Sequence, residues 1–296
     1  MTGILVIGSQ GQLATALAAA GGPAVRRLGR PALDFDRPDS VVAALREAAP
    51  ALVVNAAAWT AVDAAEADPL AARRANRDGP ALLALVCAEQ AIPLIHVSTD
   101  YVFDGTKGAP YTESDPTSPT SVYGATKLEG EQAVLAAWPH AIVRRTSWVY
   151  SATGKNFVRT MLGAAQKNAR LRVVADQQGC PTAARDLAVA ILAVAARLRD
   201  GWQDRYAGVF HAAGTGATTW HGLAEALFED AARYGHPVPA VAAIATADWP
   251  TPARRPPDSR LDCAKLSEVF DVRLPEWRSG LSRTVAELLA TPSPRL

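Results

Sequence analysis

A chain of 296 residues is long enough for two domains, or for one large domain with a substantial core. Its residues are 49% hydrophobic and 20% charged, which is ordinary for a globular protein, and the net charge is only +1 without long runs of one sign. This balance argues against nucleic acid or an anionic membrane as the main partner.

The cysteines and the N-terminal segment indicate the compartment. Cys87, Cys180 and Cys263 are odd in number, far apart and never spaced Cys-x-x-Cys, which favours a reducing environment over disulfides or a zinc cluster. No basic segment precedes the first apolar run, so a signal peptide is not expected. No apolar run approaches the roughly 20 residues that a membrane span needs. We therefore expect a cytoplasmic protein.

The first strand leads into a glycine turn. Residues 4–7 are continuously apolar, as in a strand buried on both faces, and a helical pattern follows the turn. Gly8 and Gly11 allow the backbone to approach a pyrophosphate at the helix N-terminus. The spacing is Gly-x-x-Gly-x-x-Ala, not Gly-x-Gly-x-x-Gly, and such turns also occur without a ligand. Its place after the first strand favours a nucleotide site, and we count Gln12 and Leu13 with the cofactor-binding residues.

The segments after the second and third predicted strands bear on the cofactor. At the end of the second strand an acid binds a ribose 2′-hydroxyl, whereas an arginine suits a 2′-phosphate. Arg30 therefore favours NADPH, although it can equally be a solvated side chain, and Asp34 keeps NADH possible. After the third strand, Ala56, Ala57 and Ala58 either accommodate a flat group or simply pack a buried turn.

Strand and helix patterns alternate along the chain. The predicted strands are 4–7, 24–28, 52–54, 93–97, 141–143 and 208–211, with another beginning at Val173; the predicted helices include 69–90, broken at 78–80, and 156–166, 186–198, 219–233 and 277–290. Four strand–helix units in succession predict an α/β fold with a doubly wound parallel sheet of Rossmann type. We expect a dinucleotide-binding domain over 1–150, to which segments around 171–212 can return, and a smaller substrate domain over 151–296.

A Tyr-x-x-x-Lys pair marks the candidate catalytic helix. Tyr123 and Lys127 are four residues apart in a helical pattern and so share one face. A cation that close can lower the pKa of the phenol from about 10, although such pairs are also common on solvated helices. Thr99 lies just after the fourth predicted strand, at the edge of the sheet. The loop 104–120 must fold back if the Thr99 and Tyr123 hydroxyls are to share one substrate oxygen.

Further motifs are spread over nearly the whole chain. They are Asn55 to Ala58, Ser98 to Gly105, Tyr123 to Lys127, Arg145 to Tyr150, Asn156-Phe157, Asp176 to Thr182, Thr218 to Trp220 and Pro250 to Pro256. Together with the Gly-x-x-Gly turn they resemble the extended short-chain dehydrogenase/reductases, and within them the dTDP-4-dehydrorhamnose reductases.

The resemblance implies an enzyme of nucleotide-sugar metabolism that feeds cell-surface polysaccharide. It would use NADPH to reduce the 4-keto group of dTDP-4-dehydro-L-rhamnose to dTDP-L-rhamnose. Tyr123 would supply the proton, Lys127 would lower the Tyr123 pKa and hold the nicotinamide ribose, and Thr99 would hydrogen-bond the reacting oxygen. The resemblance places Thr60, Val62, Tyr101 and Trp148 at the sugar, and Asp34 and Phe35 at the adenine.

Two alternatives stay open. A sugar-nucleotide 4,6-dehydratase or 4-epimerase of the same superfamily would retain NAD, but the acid pair typical of dehydratases is incomplete because Asp100 is followed by Tyr101. A non-enzymatic regulatory subunit of the same fold would have no need of Thr99, Tyr123 and Lys127 together.

A metal site and a tight dimer are not expected. Some relatives carry acids in the first helix and after the Pro-Thr motif, where they hold a divalent metal at a dimer contact. Ala16 and Arg185 stand at those positions here, and none of the five histidines has metal-ligand spacing. We expect no metal, a monomer or a weak dimer, and a nucleotide sugar as the small-molecule partner.

Overall fold

The structure, a computed structural model, describes residues 3–290; Met1 and Thr2 of the N-terminal segment and 291–296 of the predicted second domain lie outside the described residues. The strands are β1 (Ile4–Ile7), β2 (Val25–Leu28), β3 (Leu52–Asn55), β4 (Leu94–Thr99), β5 (Ile142–Thr146), β6 (Val149–Tyr150), β7 (Arg170–Val174), β8 (Gln178–Gly179), β9 (Thr182–Ala183), β10 (Gly208–His211), β11 (Thr218–Thr219) and β12 (Ala240–Ile244). The helices are α1 (Gln12–Gly21), α2 (Pro38–Ala48), α3 (Val62–Ala67), α4 (Pro69–Arg73), α5 (Gly79–Glu89), α6 (Val122–Ala137), α7 (Phe157–Ala165), α8 (Ala184–Arg199), α9 (Trp220–Ala232), α10 (Ala264–Phe270) and α11 (Trp277–Leu289). Within residues 3–290, no helix is both long and apolar enough to cross a membrane.

Six strands of the described part of the chain form one parallel sheet in the order β10-β5-β4-β3-β1-β2. The chain passes from β1 to β2 on one side and then crosses to β3 on the other, so the order reverses between β1 and β3. Both strands are almost wholly buried, which explains their unbroken apolar runs. The predicted Rossmann-like α/β fold is confirmed.

Helices cover both faces of the sheet. Because side chains alternate along a strand, Val6 and Val54 pack towards α1 and α8, whereas Leu5 and Val53 pack towards α2 and α5. Each aliphatic side chain buried in this way stabilises the fold by roughly 1.5–3 kcal/mol. The two layers hold the strand ends in fixed positions at the edge where the candidate site lies.

A third apolar cluster forms a smaller lobe. It joins α7, α9 and α11 with the parallel pair β7 and β12, through residues such as Leu227 and Leu281. By contrast, α8 packs on α1, and β10 pairs with β5 in the central sheet. The chain therefore leaves the sheet after β5, returns to it with α8 and β10, and then completes the lobe.

Two local predictions were wrong. The helix predicted over 69–90 is not broken at 78–80, because a π-helical turn, Arg74–Asp78, connects α4 to α5, and Pro80 lies in the first turn of α5, where its missing N–H is not needed. The strand expected to begin at Val173 instead begins at Arg170 and ends at Val174, as β7. Its first residues include exposed arginines that hide the strand pattern.

Candidate active site

A cavity of about 490 Å³ opens beyond the carboxyl ends of β1, β2 and β3. Most of the predicted cofactor residues line it, namely Gly8, Gly11, Arg30, Asp34, Phe35, Ala56, Ala57 and Ala58. Four others do not: Tyr123 and Lys127 lie in α6, Leu13 lies in the core, and the Gln12 side chain accepts hydrogen bonds from Ser151 and Asn156 at 2.9 Å each. The cavity occupies the reversal point between β1 and β3, where parallel α/β sheets bind dinucleotides.

The N-terminus of α1 faces this cavity. Gly8 has a φ of +123°, a conformation that favours glycine, and turns the chain from β1 towards the helix. Gly11 is the N-cap residue of α1. The space beside it is open, because a Cβ at this position would meet no atom within 4 Å. The first helical turn carries no acidic residue, so its N–H groups and partial positive charge remain available to an anion.

The far end of the cavity combines two arginines with a flat wall. Arg30 and Arg74 both line it. Sequence analysis missed Arg74, because it lies in a helical run with no turn or spacing signal. Phe35 packs on Gly79, where a Cβ would lie 2.2 Å from the phenylalanine side chain. The Asp34 carboxylate accepts a backbone N–H two residues further on at 3.1 Å and so stabilises its own turn.

Tyr123 lies in the first turn of α6, at the start of the catalytic side of the cleft. Ser121 caps this helix by accepting the Gly124 N–H at 3.2 Å. The Tyr123 ring meets Tyr101 edge to face, with centroids 5.5 Å apart, and the phenol lies near the Thr99 hydroxyl, which lowers its pKa. The two side chains are therefore neighbours, and their sharing of one substrate oxygen stays a prediction.

The pKa values of Tyr123 and Lys127 differ from those expected from the sequence. Burial raises the pKa of Tyr123 to about 12, while the contact with Thr99 acts in the opposite direction. The prediction that Lys127 lowers this pKa is wrong for the described structure, since the Lys127 amine is directed at the Val97 carbonyl and at His96. Burial also lowers the pKa of Lys127 to about 8, against the opposing charge of Glu131. Tyr123 is therefore protonated at neutral pH.

A buried carboxylate orients Thr99. The Thr99 hydroxyl donates to one oxygen of Asp100 and Ser147 donates to the other, each at 3.0 Å. Thr99 Oγ1 also accepts the Tyr101 N–H at 3.2 Å. Burial raises the pKa of Asp100 to about 6, although hydrogen bonds from Ser259, Ser147 and Thr99 lower it. Sequence analysis considered Asp100 only as a partial acid pair and missed this contact.

An aromatic surface from the smaller lobe stands on the other side of the cleft. Trp148 stacks on Trp220 with ring centroids 3.6 Å apart and planes within 6°. Trp148 has a left-handed φ of 47°, and Gly179 leaves room for its ring, because a Cβ there would lie 2.4 Å from it. Trp220 donates its indole N–H to Gln177 at 3.2 Å. Trp148 was predicted at the sugar; its stacking partner Trp220 was missed.

The loop that contains the Pro250 to Pro256 motif closes the cleft on a third side. Arg255 pairs with Asp63 of α3 at 2.9 Å and lies near Tyr101. Val62, beside Asp63, is half-buried against Tyr123, whereas Thr60 is exposed. Sequence analysis used this motif for the resemblance but assigned no role to Arg255.

The positions considered for a metal lie elsewhere. Ala16 and Arg185 line a separate cavity of about 510 Å³ between α1, α8 and α11, where Asp186 is paired with Arg283 at 2.7 Å. Over residues 3–290, no group of three or more His, Cys, Asp and Glu side chains is arranged to hold a metal ion. The absence of a bound metal stays a prediction.

A parallel sheet with a nucleotide-sized cavity at its reversal point, and a Thr99, Tyr123 and Lys127 cluster beside it, define a Rossmann-fold oxidoreductase. The family profile described as the RmlD substrate binding domain matches residues 1–290, and the chain belongs to this family. It is 46% identical over 288 residues to the dTDP-4-dehydrorhamnose reductase of Sinorhizobium fredii, with 97% of each chain covered.

Solved structures agree with this placement. The dTDP-4-dehydrorhamnose reductase of Clostridium acetobutylicum is 34% identical and superposes with a TM-score of 0.89, over 97% of this chain and 99% of that one. The corresponding Bacillus anthracis enzyme, in complex with NADP, is 30% identical with a TM-score of 0.87, over 96% and 98% of the two chains. The family resemblance found in the sequence is confirmed.

Proposed function

We propose that this protein reduces the 4-keto group of dTDP-4-dehydro-L-rhamnose with NADPH and releases dTDP-L-rhamnose. The observation that carries the proposal is the cluster of Thr99, Tyr123 and Lys127 beside the cavity, in a chain 46% identical to the Sinorhizobium fredii reductase. A dehydratase is not favoured, because the second acid after Asp100 is missing, and a regulatory subunit is not favoured, because Thr99, Tyr123 and Lys127 are all present. An epimerase is not favoured, because the similar relative is a reductase.

The cavity fits NADPH in charge and shape. The N-terminus of α1 suits the pyrophosphate, and the wall of Phe35 and the alanines suits the adenine. Arg30 suits the 2′-phosphate, whereas Arg74 beside it pairs with Asp36 at 3.2 Å. When bound, the reduced nicotinamide supplies a hydride to a carbonyl carbon. The NADP complex of the Bacillus anthracis relative supports this choice over NADH.

Tyr123 acts as the general acid. As a new C–H bond forms at C4 and the C=O double bond opens, its phenol proton passes to the ketone oxygen and completes the hydroxyl group. A pKa of about 12 keeps this proton on the phenol until the oxygen gains negative charge. Lys127 gives one N–H to the Val97 carbonyl at 2.7 Å, and its remaining N–H groups can hold the nicotinamide ribose.

The substrate lies between the two lobes. Thr60, Val62, Tyr101 and Trp148 line the sugar site in this proposal, and Trp220 holds the Trp148 ring in place. The Thr99 hydroxyl donates to the ketone oxygen after it exchanges its bond to Asp100 for one to the substrate. Such an exchange changes the free energy little in the ground state. The new hydrogen bond strengthens as the ketone oxygen becomes anionic.

The Tyr123→Phe variant tests the proposal. Its kcat should fall roughly 100- to 10,000-fold, because the general acid is lost, while NADPH binding stays close to that of the wild type. Tyr234→Phe is the matched control, since Tyr234 is 43% exposed and far from the cleft in sequence. Wild-type turnover by Tyr123→Phe would contradict the mechanism.

We also propose a cytoplasmic monomer or weak dimer. All three cysteines are free thiols, which suits a reducing compartment. Sedimentation velocity over a range of concentrations measures the oligomeric state, and a dimer that persists at nanomolar protein would contradict this assignment.

A further inference from the structure

A buried chain of polar side chains runs behind Lys127, away from the substrate. It consists of Asn55 at the end of β3, His96 in β4 and Lys127 in α6, and each of the three side chains is at most 1% exposed. Asn55 Nδ2 lies 3.0 Å from His96 Nδ1, and His96 Nε2 lies 3.5 Å from Lys127 Nζ. Buried polar groups at these distances fix each other's donor and acceptor roles.

The orientation of the Asn55 amide is determined by a backbone group. Its Oδ1 accepts the Ala57 N–H at 3.1 Å, and a backbone N–H can only donate. The other end of the amide, Nδ2, is therefore a donor directed at His96 Nδ1. That ring nitrogen must accept, so the proton of the neutral imidazole is on Nε2 and is directed at Lys127.

An N–H directed at an amine discriminates between the two charge states of that amine. A neutral lysine has a lone pair that accepts the His96 N–H, while it still donates to the Val97 carbonyl at 2.7 Å. An ammonium group has only donors, so it meets the positive end of the N–H dipole. We propose that Asn55 holds His96 as the Nε2–H tautomer, and that this N–H stabilises the uncharged form of Lys127.

Other groups around Lys127 leave this interaction effective. His96 faces it from β4, while Tyr123 and Glu131 lie one turn away on either side in α6. The Glu131 carboxylate makes three hydrogen bonds to Arg145 of β5, at 2.6, 3.0 and 3.1 Å, so its charge is largely compensated. Full burial keeps His96 uncharged, since burial and the neighbouring Lys127 both lower its pKa well below the usual value.

The consequence is a catalytic lysine whose charge depends on pH near neutrality. This inference rests on the proposed function only where activity is the readout. Asn55 and His96 contact neither substrate nor reacting atoms and are positioning residues. As pH rises through the pKa of Lys127, about 8, the cation is lost and kcat should fall with it.

The tautomer can be observed without any turnover, by ¹⁵N NMR of the full-length wild-type protein with ¹⁵N-labelled histidine. The His96 signal is assigned by its loss in His96→Gln. We expect His96 to carry its proton on Nε2 from pH 6 to 9, and its shift to report the titration of Lys127. A proton on Nδ1, or a charged imidazole, would overturn the proposal while leaving the reductase assignment untouched.

Two Asn55 variants test the link to Lys127. In Asn55→Asp the carboxylate accepts from Nδ1, so the proton moves there and Nε2 becomes an acceptor for the ammonium. The midpoint of the Lys127 titration should rise by about one pH unit, equivalent to roughly tenfold in proton affinity, and the alkaline fall of kcat should move with it. Asn55→Ala adds no charge and leaves room for a water that can accept from Nδ1, so a smaller rise is expected. The proposal would be overturned if the His96 tautomer changed while the midpoint of the Lys127 titration did not. It would also be overturned if that midpoint rose in Asn55→Asp but not in Asn55→Ala.

Discussion

The Thr99 hydroxyl donates to the Asp100 carboxylate at 3.0 Å. The same oxygen accepts the Tyr101 N–H and lies near the Tyr123 phenol, whose pKa it lowers. One short side chain therefore links the carboxylate behind the site to the general acid in front of it. This link accounts for a hydroxyl, rather than an apolar group, at the end of β4.

Loss of this hydroxyl should slow the chemical step. We expect Thr99→Val to lower kcat roughly 10- to 100-fold, because one hydrogen bond to the developing oxyanion is missing, with little change in the KM for NADPH. Thr99→Ser keeps the hydroxyl and should retain most of the activity. Steady-state kinetics with both substrates varied measures the effect; equal activity in Thr99→Val and wild type would exclude a role for Thr99.

The preference for NADPH should depend on Arg30. In the proposed complex its guanidinium neutralises the 2′-phosphate, so Arg30→Ala should raise the KM for NADPH about tenfold and leave the KM for NADH nearly unchanged. Arg46→Ala removes an exposed arginine of α2 that does not line the cavity and serves as the control. If Arg30→Ala raises the KM for NADPH and the KM for NADH equally, Arg30 does not recognise the 2′-phosphate.

The pair of Arg255 and Asp63 should help to hold the substrate cleft closed. Arg255 is half-buried and joins the loop of the smaller lobe to α3 and to Tyr101. Arg255→Ala should raise the KM for the nucleotide sugar roughly five- to twentyfold and affect the KM for NADPH little, since the cofactor cavity is elsewhere. The adjacent exposed Arg254→Ala is the control. An unchanged sugar KM in Arg255→Ala would rule out this role.

Acid should destabilise the fold in part through His211. Its Nδ1 lies 3.0 Å from the carbonyls of Tyr111 and Asp262, and burial, together with the charge of Arg145, lowers its pKa to about 3. Because this value is below the ordinary 6.5, the folded state binds fewer protons than the unfolded state between pH 6.5 and 3, and stability falls as the pH falls.

At pH 5 the low pKa of His211 lowers the free energy of unfolding by about 2 kcal/mol. Urea unfolding at pH 7 and pH 5 should therefore show a smaller loss of stability on acidification in His211→Gln than in the wild type. His140 is exposed, so the control variant His140→Gln should lose as much stability between pH 7 and pH 5 as the wild type. An identical loss in His211→Gln and wild type would contradict the assignment.

The sheet could be predicted from the sequence because its strands are short, apolar and followed by turn residues. The strand β7 was placed wrongly, since exposed Arg170 and Arg172 interrupt its apolar pattern. The break predicted at 78–80 was wrong too, because a π-helical turn connects α4 to α5 and Pro80 lies in the first turn of α5. Local sequence patterns do not encode such tertiary adjustments.

Some residues of the candidate site could likewise be predicted from the sequence, and others could not. Thr99, Tyr123 and the glycine turn could be found because each lies in a recognisable motif at a strand end or on one helical face. The Asp100–Ser147 and Arg255–Asp63 contacts join segments distant in the chain, so no spacing revealed them. The expected effect of Lys127 on Tyr123 failed for the same reason: only the fold shows that burial dominates and that the amine points to His96.

The most direct test of the central proposal is the stoichiometry of the purified protein with NADPH and dTDP-4-dehydro-L-rhamnose. NADPH oxidation is followed by absorbance, and the sugar product is identified by NMR. We expect one NADPH to be oxidised for each dTDP-L-rhamnose formed, and no oxidation when the keto sugar is left out. Conversion of the sugar without net loss of NADPH, or no conversion at all, would contradict the assignment as a 4-keto reductase.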